Sequence, residues 1–257
     1  MTTYSFEIMN ESLKNIFSLS TTRGNNFSDK KVSDDDFNTL IKSGVQAPNA
    51  SNRQSYSIIV IDEKTKKELG LKGDRVLLFI IDFYRHECLS KHLGKNISFD
   101  HFQPFLTGVI DVSLAIQNIV VAANSMDIGY LVTNDTYTRD LDKLFEIFKL
   151  PKKGCFPLLY LCLGYPKEKK TAHKYRLDMK HIVHYGQYND YSKDEIEEIV
   201  QEYDTVVGLE LFPKWRDKGY GAYLDWFYDK WTPALESKEK SNKVLDAIKR
   251  EGFINSD

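Results

Sequence analysis

Hydrophobic and polar positions along the chain follow two regimes. Up to about residue 166, apolar runs of strand length alternate with stretches of helical period, whereas from about Asn189 the chain is polar but rich in aromatic residues interspersed with charges. Ser33-Asp34-Asp35-Asp36 opens the first clear helix, with Ser33 as its cap and acids in the first turn, where the helix dipole favours them. Phe37, Leu40, Ile41 and Val45 follow at helical spacing, and Pro48 predicts a stop before it. Residues 57–62 and 75–82 are apolar, β-branched runs that predict strands. Residues 109–126 carry near-continuous apolar faces with alanine pairs and predict a buried central helix. Asp111, Ser113, Gln117, Asn118 and Asn124 within it are too many polar groups for a membrane span. A turn at Gly129, a helix near 138–149 and a strand over 156–163 complete this part. Strands and helices in irregular order predict an α+β fold, a sheet with helices packed against it.

The second regime predicts a separate region. Residues 1–188 read as a core and residues 189–257 as an aromatic-rich C-terminal extension containing Tyr191, Tyr203, Trp215, Tyr223, Trp226 and Trp231. Aromatics on short helices, separated by charges, often bury against something beyond their own segment, either the parent core or a second subunit.

Composition narrows the function classes. A chain of 257 residues with 42% hydrophobic and 28% charged content has the make-up of an ordinary soluble globule. A formal charge of -2 lacks the electrostatic footprint of a nucleic-acid binder or a protein held on an anionic membrane. Cys88, Cys155 and Cys162 have no metal-ligand spacing and read as free thiols in a reducing cytoplasm, so no metal site is expected. Residues 1–20 contain no apolar signal-peptide core, and a cytoplasmic location is expected.

The candidate chemistry is anion binding. Lys174 and Arg176 stand two residues apart on an extended segment and so point the same way, as a pair that grips a phosphate would. Ser20-Thr21-Thr22-Arg23-Gly24 supplies hydroxyls and one cation. The loop Ala47-Pro48-Asn49-Ala50-Ser51-Asn52-Arg53-Gln54 is packed with small residues and amides, which donate and accept at once and suit the edge of a flavin ring. Taken singly, each segment is equally ordinary cap or turn chemistry. Neither GxGxxG nor GxxxxGK[ST] occurs, so a dinucleotide fold or P-loop has no support.

The order of these segments is more informative than any one of them. Thr21-Thr22-Arg23-Gly24 is followed by Val32-Ser33, by Ala47-Pro48 with Asn52 and Gln54, by Asp82-Phe83-Tyr84-Arg85-His86, and by Gly108-Val109-Ile110-Asp111 with Gln117-Asn118. Ile128-Gly129, Leu150-Pro151, residues 161–166 ending in Gly164-Tyr165-Pro166, Lys174-Tyr175-Arg176 and a late Gly252-Phe253 complete the series. This ordered set resembles the nitroreductase/flavin reductase family, closest to its larger, oxygen-insensitive, NADPH-using branch.

The resemblance implies an α+β nitroreductase-like fold: a mixed central sheet surrounded by helices, with the extended C-terminal tail packing on the partner subunit of a homodimer. It implies an FMN-dependent NAD(P)H oxidoreductase in which hydride passes through flavin N5, ping-pong fashion, to a small-molecule acceptor such as a nitroaromatic, a quinone or a flavin. Carried across by position, Arg23 with Lys174 and Arg176 would bind the FMN phosphate, Thr22 would belong to the same cofactor site, and Pro48, Asn49 and Ala50 would line the isoalloxazine with Asn52 and Gln54 nearby. Main-chain amides near Thr133 and Asn134 would face the N5/O4 edge. No side-chain acid or base is demanded, so no residue is nominated as catalytic, and His86 and His184 read as structural.

The chain also departs from the family pattern. Leu19-Ser20 stands where leading arginines are usual, and Asn134-Asp135 replaces a Gly-Gly pair. Asn25-Asn26 reads either as an insertion before Phe27 or, aligned on Phe27 without a gap, as placing Asn25 at the last arginine and Arg23 out of register. These departures leave a second reading, a flavin-poor member acting as a small-molecule binding or sensor protein.

Overall fold

The computed structural model describes residues 10–138, 141–168, 175–206, 208–211, 214–235 and 238–254. The chain forms two compact units, one of Thr21–Lys169 with Glu239–Asp257 and the other of Met1–Ser20 with Lys170–Lys238.

The larger unit is built on a four-stranded sheet in the order β1-β2-β4-β3, with β1 Tyr56–Val60, β2 Arg75–Asp82, β3 Gly129–Thr133 and β4 Cys155–Gly164. The expected mixed sheet takes a simpler form here, because all three pairings among the described residues are antiparallel. The connections explain why. β1 reaches β2, and β3 reaches β4, through short helices that bring the chain back alongside, whereas parallel neighbours need a crossover. The central strands β2 and β4 are almost wholly buried, which accounts for their unbroken apolar runs.

The Ser33 hydroxyl accepts the Asp36 amide at 3.1 Å and caps helix Asp34–Val45, as the sequence predicts. The first strand ends two residues early, because Asp62 turns to cap the helix Glu63–Glu68, accepting the Thr65 amide at 2.9 Å. Of the helix expected near 138–149, the described residues show helical segments at Asp135–Thr138 and Leu141–Ile147.

The central helix is Phe102–Ser125, starting earlier than the apolar pattern alone suggests because Pro104 is tolerated in a first turn. It is the one described helix long and apolar enough to cross a membrane, yet it packs on the sheet and on helix Asp34–Val45, with Asp111 wholly buried. Gly108 makes the approach close: a Cβ there would lie 2.4 Å from Ile81 Cγ2. The end of the chain also returns to this unit. Helix Lys238–Arg250 buries Ala247 and Ile248, and Phe253 is fully buried against the rings of Phe83 and Phe105.

The smaller unit carries helix Lys193–Thr205, opened by a capping box in which Ser192 and Glu195 each satisfy the other's backbone. Trp215 and Tyr223 are almost completely buried, and Tyr203 stacks on Tyr223 with centroids 5.7 Å apart. These aromatics therefore find partners within their own segment, a solution the charge-separated pattern does not announce. Tyr228 remains exposed.

Candidate functional site

The loop between helix Asp34–Val45 and β1 is held in a conformation it would not adopt alone. Ser51, Asn52 and Gln54 have φ of 55°, 54° and 54°, in the left-handed region that costs a non-glycine residue about 1–3 kcal/mol each, less for asparagine. Such strain persists only where the surroundings over-determine it. Here they do. One Asp111 carboxylate oxygen accepts the Ala50 amide at 3.0 Å and the other accepts the Ser55 amide at 3.1 Å. Asn49 Oδ1 accepts the Gln54 amide at 3.1 Å, and Gln54 Nε2 donates to the Asn52 carbonyl at 3.3 Å. From the helix Tyr84–His92, His86 Nε2 bonds the Arg53 carbonyl at 2.9 Å, while the Arg85 guanidinium donates to the carbonyls of Gln54 and, at 3.3 Å, Tyr56.

Pro48 and Asn52 are exposed on this loop, and Asn49, Ala50 and Gln54 are half-buried. Beneath it, Arg53 Nε, Ser55 Oγ and Tyr56 OH are buried and have no hydrogen-bond partner among the described residues. Burial, reinforced by the Asp111 charge, raises the Tyr56 phenol above its ordinary range.

The second candidate segment lies at the other end of the sheet's central strand. Thr22 is buried, its amide donating to the Tyr130 carbonyl at 2.7 Å, and its hydroxyl occupies the space a side chain on Gly129 would need. Arg23 is exposed at the start of the turn Gly24–Asn26. That turn is fastened to the stretch after β4: Lys167 donates its amide to the Asn26 carbonyl at 2.7 Å, Asn26 Nδ2 donates to the Glu168 carbonyl at 3.2 Å, and Phe27 pairs with Pro166. From Glu168 the sequence runs on to Lys174 and Arg176. Lys174 lies outside the described residues, and Arg176 belongs to the other compact unit, where it is exposed and donates to the Tyr175 carbonyl at 3.0 Å.

Thr133 ends β3 and Asn134 is exposed directly after it. The Asn134 carbonyl accepts the Tyr137 amide at 3.3 Å, and Asp135 donates its amide to Thr133 Oγ1 at 3.3 Å, so the Asn-Asp pair starts a helical turn where the family pattern has two glycines. The Asp135 charge adds to the burial that pushes the core thiol of Cys162 up to about 12.

The structure therefore brings Pro48, Asn49, Ala50, Asn52 and Gln54 together in one strained loop. It also adds three residues with no assigned task in the sequence reading: Asp111, Arg85 and His86. For Asp111 a signal existed, since an acid within a near-continuous apolar helix needs buried partners. Arg85 and His86 carry no such signal, because their targets are backbone carbonyls.

Residues 20–87 match the Nitroreductase family. The "NADPH-dependent oxidoreductase" of Staphylococcus haemolyticus is 32% identical over 193 residues, covering 70% of this chain and 76% of the relative. The "FMN reductase (NADPH)" of Bacillus subtilis is 28% identical over 257 residues, covering 95% and 99%. Among solved structures, the NfrA1 nitroreductase from B. subtilis superposes with a TM-score of 0.80 at 26% identity, covering 94% of this chain and 98% of the other. Its sequence and its fold agree, and the chain belongs to the nitroreductase family.

Proposed function

We propose that this protein is an FMN-dependent NAD(P)H oxidoreductase that reduces nitroaromatics, quinones or free flavin. The observation that carries the reading is the loop 48–54, held in a left-handed conformation by the buried Asp111 carboxylate. Strain fixed in this way is the signature of a binding surface set before its ligand arrives.

The residues present fit the cofactor. The loop offers small side chains and amides that donate and accept, suited to a flat heterocycle with a uracil-like edge. Three buried polar atoms beneath it, on Arg53, Ser55 and Tyr56, have hydrogen-bonding capacity to spare. The exposed guanidinium of Arg23, on a turn fastened to residues 166–168, matches a phosphate. Pro48, Asn49 and Ala50 would hold the ring, with Asn52 and Gln54 beside them, and the backbone of Thr133 and Asn134 would serve its polar edge. Arg23, Lys174 and Arg176 are assigned to the phosphate on the order of the sequence motifs, with Thr22 a further cofactor-binding residue. When bound, FMN supplies two-electron chemistry, accepting hydride from NAD(P)H and delivering it to the acceptor in ping-pong order.

The chain's own part is positional. Asp111, His86 and Arg85 keep the loop backbone aimed, and no side chain is required to carry a proton. A homodimer follows from the same reading. Leu106, Ile110 and Leu114 form an exposed apolar stripe along the central helix, 47%, 58% and 38% exposed, the kind of face a second subunit covers. We place this enzyme in the cytoplasm, with the aromatic-rich extension 189–257 completing the dimer around a core of residues 1–188.

An absorbance spectrum of the purified full chain tests the proposal, followed by NADPH oxidation with menadione or nitrofurazone. Flavin bands, intrinsic or after added FMN, together with acceptor-dependent turnover are expected. Protein that stays colourless in excess FMN and does not oxidise NAD(P)H would instead support a binding or sensor role.

A further inference from the structure

We propose that His181, Glu198 and Glu202 form a divalent metal site in the smaller unit, with zinc the ion their chemistry fits best. The nearest ligand atoms of the three side chains all lie within 4.8 Å of one another. Glu198 and Glu202 are four residues apart on helix Lys193–Thr205 and so share one face of it. His181 closes the 3-10 turn Met179–His181 that lies against that face.

The imidazole is what separates this cluster from an ordinary group of surface acids. The His181 side chain is 2% exposed and its Nε2 lies 3.4 Å from Glu202 Oε1. That nitrogen makes no hydrogen bond among the described residues. A charge-assisted hydrogen bond would draw the pair to about 2.7–2.9 Å. The observed separation instead matches that of two ligands on one tetrahedral zinc, since bonds of about 2.1 Å at the tetrahedral angle place their donor atoms about 3.4 Å apart. A buried imidazole nitrogen left unsatisfied is costly, and a metal would satisfy it.

The surroundings orient the remaining ligands. Glu202 Oε2 accepts the Asp178 amide at 3.2 Å, which leaves Oε1 turned toward His181. The His181 carbonyl accepts the Tyr191 hydroxyl at 3.0 Å, fixing the turn from behind. Glu198 is currently paired with the Lys180 ammonium, a cation that would have to yield its place. Glu198 is also about half exposed, which leaves a fourth position for water. One imidazole and two carboxylates neutralise a dication and suit zinc among the divalent ions. Its role would be a clip, joining the turn that follows the Lys174-Tyr175-Arg176 segment to the first helix of the extension.

Isothermal titration of the chelator-treated full chain with zinc chloride tests this, with the thermal midpoint read in parallel. Saturable one-to-one binding and a midpoint that rises with zinc are expected, because a ligand that binds only the folded state stabilises it by mass action. Glu198→Gln, at a half-exposed position, should weaken binding by at least about tenfold without altering the zinc-free midpoint appreciably. Lys180→Ala should tighten binding by removing the competing cation. Absence of saturable uptake, wild-type affinity in Glu198→Gln, or unchanged affinity in Lys180→Ala each overturns the proposal. Because Glu198→Gln carries the test, an unfolded His181→Ala variant would not obscure it, and neither readout depends on flavin.

Discussion

Asp111 holds the amide of Ser55 at 3.1 Å from a position 56 residues further along the chain, while its second oxygen holds Ala50. One carboxylate thus closes both ends of a loop whose backbone is otherwise strained. In Asp111→Asn the side chain has one acceptor and one donor group, so one of the two amides loses its partner. An orphaned buried donor costs about 1–3 kcal/mol. The urea midpoint should fall accordingly, and FMN affinity with it; an unchanged midpoint would remove Asp111 as the organiser of the loop.

His86 should show a different balance. Its Nε2 bonds the Arg53 carbonyl at 2.9 Å, so His86→Ala removes one hydrogen bond, worth about 0.5–1.5 kcal/mol. The loop would stay closed through Asp111 but lose its aim at residue 53. The FMN dissociation constant, measured by quenching of flavin fluorescence, should rise while the thermal midpoint shifts less than in Asp111→Asn. Equal affinity in the two proteins would mean that His86 only fills space.

Much of this architecture is legible in the sequence because burial leaves a period. Val76 to Ile81 and Leu158 to Leu163 read as strands since both faces of the central strands are covered, and Ser33 announces its helix through an acidic first turn. The loop 47–54 is identifiable by its small and amide residues, and its place in an ordered set of motifs identifies the family. What the sequence does not carry is pairing at a distance. Nothing near Arg85 or His86 indicates that they bond the carbonyls of residues 53, 54 and 56, because any residue presents a carbonyl. The burial of Trp215 against Tyr223 within the extension is hidden for a related reason, since the two stand on separate short segments. His181 with Glu198 and Glu202 shows no ligand spacing, as the imidazole arrives from a separate turn.

Gly108 sets how closely the central helix approaches β2. An added Cβ would stand 2.4 Å from Ile81 Cγ2 and 3.1 Å from Cγ1, and neither atom can retreat in a packed core. Gly108→Ala should therefore cost about 1–3 kcal/mol despite the better helix propensity of alanine. Ile81→Ala removes both clashing atoms. A double-mutant cycle in urea should show the Gly108→Ala cost shrinking in the Ile81→Ala background, and simple additivity would count against this contact.

The three cysteines should differ in reactivity. Cys88 is exposed, whereas Cys155 and Cys162 are buried in the sheet. Burial, with the charge of Asp82 added, raises the Cys155 thiol far above its ordinary range, and burial pushes Cys162 up to about 12. Since the thiolate is the nucleophile, native protein at pH 8 should react with Ellman's reagent at one thiol, and denatured protein at all three. The same shifts give a stability signature with a defined sign. Below the unfolded thiol pKa of about 8.5 both states hold their protons and the cysteines contribute no slope. Above it the unfolded chain releases protons that the folded chain retains, so stability falls with rising pH, by up to about 1.4 kcal/mol per pH unit for each buried thiol. For Cys162 the window closes near pH 12, where the folded thiol also ionises. Urea midpoints measured from pH 8 to 10 should decline less steeply in Cys162→Ala than in the unsubstituted chain. Parallel slopes would mean that the Cys162 thiol ionises as readily in the folded protein as in the unfolded one.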